Sequence, residues 1–164
     1  MISNRDELLR RRRELQQRIF RDAQRQRIAG VLAQLDAAGA AYDILWPGEV
    51  GPADWTDVAA RFPAFGMHRF DWSRVPGSVW MRWDDEAERD RQFRTLLDEH
   101  VPAPETPVIV VRNGSGVALR LTAAAAREHC AALLEHASEA WIFAPGQDWL
   151  IECTSDGTLA AGRG

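Results

Sequence analysis

The stretch "WIFAPGQDWLIECTSDGTLAAG", Trp141 to Gly162, holds three apolar segments of strand length, parted by Pro-Gly-Gln-Asp and by Ser-Asp-Gly. Turns this short join antiparallel neighbours, because a parallel pair needs a crossover of about a dozen residues or more. The end of the chain is therefore committed to an antiparallel meander: Glu139–Ala144, Asp148–Thr154, and a last edge strand from about Thr158. Upstream, "PVIVVRNGSGVALRLT" predicts a hairpin, two strands joined by Asn113–Gly116.

Helical signals surround these strands. "SNRDELLRRRRELQQRIFRDAQRQRIAGVLAQLDAAGA" reads as one long helix, or two joined near Gln24–Arg27. Asn4 is placed to cap it, with Glu7 completing a capping box. Leu8, Leu15, Ile19, Ala23, Ile28, Val31, Leu32 and Leu35 recur at helical spacing, and Gly39 is a stop signal. Unbroken, such a helix is about 50 Å long, and its first half projects beyond the body. A short strand is expected at Ala41–Trp46, ended by Pro47-Gly48. A short helix capped by Asp54 or Thr56 follows, then an irregular stretch, Pro63–Gly77, and a strand at Ser78–Trp83. Asp84 or Asp85 caps a helix to about His100, with Phe93, Leu96 and Leu97 on its inner side. Thr122 caps another to about Ala137. The sum is an α+β fold: a long N-terminal helix and an antiparallel sheet of about five or six strands, with helices packed on one face. Residues 1–164 read as a single domain, with a helical arm at 1–38 and the α+β body at 39–164.

Composition narrows the chemistry. All 20 basic residues are arginine. Schiff-base chemistry, phosphate-loop hydrolysis and nuclease sites that pair acids with lysine are thereby excluded. Residues 1–27 hold nine arginines and four acids, a balance of +5. The remainder holds eleven arginines and twenty acids, a balance of −9. A basic arm thus precedes an acidic body. Two cysteines make no disulfide framework, and no run approaches the roughly 20 apolar residues of a membrane span. The polar start shows no secretory signal, so a cytoplasmic location is expected, with no membrane among the partners.

No residue pattern builds a convincing catalytic site. Asp148 and Glu152 share one face of a predicted strand, and an acid pair can do general acid–base work. The competing reading is a charged strand edge that discourages edge pairing. His129 and His136 lie about 10.5 Å apart along a helix, too far for one metal ion. Neither Cys130 nor Cys153 has a CxxC partner, so no metal and no cofactor is expected. "GSGVAL" leads into a strand instead of a helix, which rules out a dinucleotide loop. Arg10–Arg13 spread around their helix beside Glu14, so nucleic acid is not the expected partner. Of the seven tryptophans, Trp46, Trp80, Trp141 and Trp149 fall in strands and read as core. Trp55, Trp72 and Trp83 lie near loops or helix starts, where one or two are partly exposed.

The C-terminal third is similar to the ending of bacterial immunity proteins, small cytoplasmic proteins that neutralise the toxin tips of contact-dependent inhibition and related polymorphic toxin systems. In that family a Trp-Ile strand, a turn and a Trp-Leu-Ile-Glu strand precede an acidic or His-Asp-Gly turn. Trp141-Ile142, Trp149-Leu150-Ile151-Glu152 and Asp156-Gly157 match. Thr154-Ser155 departs from the His or aromatic more typical there. The resemblance covers residues 107–163. It implies a binding protein and not an enzyme, its partner a toxin domain. An acidic surface suits a basic toxin, and the candidate contacts are Asp84, Asp85, Glu86, Glu88, Asp148 and Glu152. Two other readings stand beside it: a small hydrolase using Asp148 and Glu152, and an arginine-arm adaptor or nucleic-acid binder.

Overall fold

The computed structural model describes residues 4–46, 55–65, 69–112 and 117–164. The expected breaks at Pro47-Gly48 and Asn113–Gly116, the cap at Asp54 and the side chains of Asn4 and Thr56 lie outside the described residues.

The fold is α+β. The N-terminal helical sequence forms two helices, α1 (Asn4–Arg27) and α2 (Ala29–Ala37). They are followed by β1 (Asp43–Leu45) and α3 (Trp55–Ala59). A two-stranded ribbon, β2 (Ala64–Phe65) and β3 (Arg69–Phe70), leads to a 3₁₀ turn at Trp72–Arg74. Next come β4 (Val79–Arg82) and α4 (Glu86–His100), then the hairpin β5 (Pro107–Arg112) and β6 (Ala118–Thr122). The predicted single helix after Thr122 is two, α5 (Ala123–Glu128) and α6 (Cys130–Leu134). The meander β7 (Glu139–Phe143), β8 (Trp149–Thr154) and β9 (Thr158–Arg163) closes the chain.

The main sheet has seven antiparallel strands in the order β1-β6-β5-β7-β8-β9-β4. The expectation of five or six is short by at least one. β9 is not an edge either: β4 pairs along its outer side, Val79 opposite Ala161 and Arg82 opposite Thr158. Local chemistry sets the turns and caps. Between β7 and β8, Gln147 N–H donates to Ala144 O at 3.1 Å. The two central residues are Pro145 and Gly146, and Gly146 has φ +75°, the type II pattern. Asp85 caps α4 by accepting from Glu88 N at 2.8 Å, and Thr122 caps α5 by accepting from Ala125 N at 3.2 Å.

Both sheet faces are covered. Side chains of α2, α4, α5 and α6 pack on one face, against Val110, Ile142, Trp149, Ile151 and Leu159 among others. The short helix α3 and the stretch expected to be irregular, Pro63–Gly77, together supply the second cover. Val58, Phe62, Phe70, Trp72 and Val75 pack on Ile109, Val111, Trp141, Phe143, Leu150 and Ala160. Their rings interlock, with Phe70 5.3 Å from Trp141 and Phe62 5.6 Å from Trp72 between centroids. The helices α2, α4, α5 and α6 share one face as expected, and the cover on the opposite face adds to that expectation. One tryptophan assignment is reversed: Trp80, read as core, is 54% exposed on the edge strand β4, while Trp72, near the loops, is buried.

Candidate partner-binding site

Strand register divides the candidate acids between two ends of the sheet. Glu139 of β7 faces Thr154 of β8, Thr154 faces Thr158 of β9, and Thr158 faces Arg82 of β4. Asp84, Asp85 and Glu86 follow Arg82 after one residue, Trp83, and are exposed at this end. Asp148 precedes β8 at the other end, where Trp149 faces Arg163. Asp148 pairs with Arg163 there. The length of β8 separates it from the α4 acids by about 20 Å, so these acids do not form one patch.

Glu152 belongs to neither group. It is 3% exposed, which corrects its assignment as a partner contact. Its carboxylate accepts from Trp72 Nε1 at 2.6 Å and from Trp141 Nε1 at 3.2 Å. Burial pushes its pKa up, and the two indole donors and the Phe70 backbone pull against that shift. Asp148 is four residues away along the strand, about 13 Å, so the acid pair of the hydrolase reading does not assemble. The signal that Glu152 is interior lies in its neighbours. Trp-Leu-Ile-Glu-Cys-Thr does not alternate apolar with polar, which marks a strand covered on both faces.

At the α4 end lies a cavity of about 430 Å³ whose walls include Trp83, Glu86, Arg89, His136, Cys153 and Ser155; Glu86 is the acid on its wall, and Asp84 and Asp85 precede it in the chain. Its floor is electrically paired. Arg89 donates to Asp90 Oδ1 through Nε at 2.9 Å and Nη2 at 2.8 Å, and its guanidinium lies 5.7 Å from the Trp83 ring centroid. Trp83 Nε1 is buried and has no acceptor among the described residues. Glu88 is half-buried and committed locally: it accepts from Asp84 N at 3.2 Å and from Gln92 Nε2 at 3.2 Å. That leaves Asp84 and Glu86 as the rim charges least engaged in capping. Asp156, in the β8–β9 turn at the same end, pairs with Arg69 of β3 at 2.7 Å. A hydrogen bond from the Thr154 hydroxyl, together with Arg69, lowers its pKa.

The remaining candidates are separate from this cavity or inert within it. Desolvation raises the Cys153 thiol to about 12 and also raises Cys130, which removes thiolate character. Among the described residues no three His, Cys, Asp or Glu side chains are grouped to hold a metal ion. His100 stacks on Trp149 at 5.5 Å, and burial lowers its pKa. No protein-family model and no curated protein matches the chain.

Proposed function

We propose that the protein binds and neutralises a basic toxin domain, as an immunity protein of the contact-dependent inhibition kind, and that it acts in the cytoplasm. The observation that carries the reading is the acid rim at the α4 end. Asp84, Asp85 and Glu86 are consecutive and exposed, and Glu86 lies on the wall of a cavity whose Arg89 is already paired with Asp90. With its floor neutralised, the site presents net negative charge to an incoming basic surface. Beyond this geometry, the reading rests on the β7–β9 resemblance and on the −9 balance after residue 27.

The test is stopped-flow binding to a cognate toxin domain, sought as the product of a toxin gene adjoining this one, at low and moderate salt. Reversing Asp84 and Glu86 to arginine should slow association about tenfold or more at low salt and flatten its salt dependence. Asp148→Arg, at the far end, should leave association unchanged. Equal slowing by the two sets, or no effect of the α4 set, would move the contact away from this end.

A further inference from the structure

Large apolar side chains exposed among the described residues are concentrated on α1: Leu8, Leu9, Leu15, Ile19 and Phe20, with only Val79 and Trp80 elsewhere. The three most exposed of the five, Leu8 at 60%, Leu15 at 56% and Ile19 at 60%, fall within about 40° of arc on an ideal helix and form one ridge. Arginines flank it on both sides. Arg11 and Arg18 lie about 60–80° to one side, Arg12 and Arg5 about 40–60° to the other. The ridge half carries one acid beyond Ile19, Asp22.

The helix meets the body only near its C-terminal end. Gln24, about 160° from the centre of the ridge, is buried, and Arg21 stacks over Trp46 at 5.5 Å. Residues 8–23 are exposed on every side, so the ridge has no cover from the described residues. A helix on a globular body usually packs its apolar face; this one leaves it open.

An apolar ridge between two rows of guanidinium groups fits a surface with apolar matter below and phosphate above. Nucleic acid offers phosphate but no apolar layer for the ridge. A second α1 offers an apolar ridge but adds another +5 of charge. A bilayer interface with anionic headgroups offers both, and the arginine stems can lie along the apolar layer with their heads at the phosphates. We propose that the outward face of α1 is a docking surface for an anionic lipid membrane, on which the helix lies without crossing. No helix among the described residues is long and apolar enough to cross. Span length bears on crossing a membrane and does not test for this mode.

The experiment is cosedimentation of the full chain with vesicles of phosphatidylcholine alone and of phosphatidylcholine mixed with phosphatidylglycerol. Binding to the mixed vesicles should be tighter by about tenfold or more and should weaken with salt. Replacing Leu8, Leu15 and Ile19 together by serine should abolish that preference. Because these side chains are already exposed, circular dichroism should report an unchanged helix. If the triple variant loses helicity, Arg12→Gln with Arg18→Gln carries the same test through the charge, and weaker binding is again expected. No preference for anionic vesicles would overturn the proposal and favour a protein groove. Wild-type binding by the serine variant would reduce the contact to charge alone and also overturn it. A wild-type dimer that the serine variant converts to monomer in sedimentation velocity would assign the ridge to a second copy.

Discussion

Trp72→Phe tests the most consequential interior contact, the buried Glu152 beneath the second cover. The indole bond to its carboxylate is 2.6 Å long. A hydrogen bond to a charged group is worth about 1.5–3 kcal/mol, against about 0.5–1.5 kcal/mol between neutral groups. Truncating indole to phenyl removes about 1 kcal/mol more of burial. The variant should therefore lose about 2.5–4 kcal/mol while Glu152 is ionised, and about 1.5–2.5 kcal/mol once it is protonated. The sign of the pH dependence follows from linkage. Burial raises the folded pKa of Glu152 above that of an ordinary glutamate, so the folded state holds its proton longer than the unfolded state. The stability this contributes is fully present below the unfolded value and is lost as pH rises through the folded one. Removing an indole donor raises the folded pKa further. Urea midpoints followed by circular dichroism at about pH 5 and about pH 8 should thus show a larger gap between wild type and variant at the higher pH. In a Glu152→Gln background that pH-dependent part should vanish. A gap equal at both pH values would refute the assignment of Trp72 as the principal support of an ionised Glu152.

Gly157 has φ +90°, and a Cβ there would come within 3.0 Å of Trp83 O. Gly157→Val should cost about 1–3 kcal/mol, and an unchanged urea midpoint would show that the β8–β9 turn tolerates another backbone path. Cys153 should resist thiol reagents in the native state at neutral pH and react fully only in denaturant, since its pKa is pushed up to about 12; rapid native labelling would place the thiol in contact with solvent.

The strands and their caps were legible because each rests on a local rule. Asp85 and Thr122 cap as side-chain chemistry predicts, and Pro145-Gly146 makes the turn that a proline and a positive-φ residue call for. The alternation in β8 was also read correctly: Trp149, Ile151 and Cys153 share one core, and Leu150 enters the other. The fate of Glu152 was not legible from alternation alone, because parity tells which face a side chain takes and not what covers it. Its cover comes from Val58 to Val75, a stretch without sustained periodicity whose order rests on ring packing among Phe62, Phe70 and Trp72. Trp80 failed for the complementary reason. Its strand was recognised, but that β4 lies outermost is set by its pairing with β9, a contact far away in sequence.

The separation of charge links the two surfaces. Within α1, Arg10 and Arg11 meet Glu7 at 2.8 Å, and Arg10 also meets Glu14 at 3.9 Å. These arginines pair inside their own helix, and the body's acids do not draw them in. The rim acids Asp84 and Glu86 lie on the body, at the start of α4. The arm and the rim lie on different elements, and no ion pair among the described residues joins them. Salt screens exposed charges over about 8–10 Å, so the two are expected to act on their partners independently. Replacing Leu8, Leu15 and Ile19 by serine should leave toxin association at its wild-type rate. Reversing Asp84 and Glu86 should leave the affinity for anionic vesicles within about twofold at moderate salt. The combined variant should lose both contacts by the product of the separate factors. Coupling beyond about 0.5 kcal/mol in that cycle would mean that α1 and the α4 end form one surface, and that the basic arm helps to hold the acidic site in place.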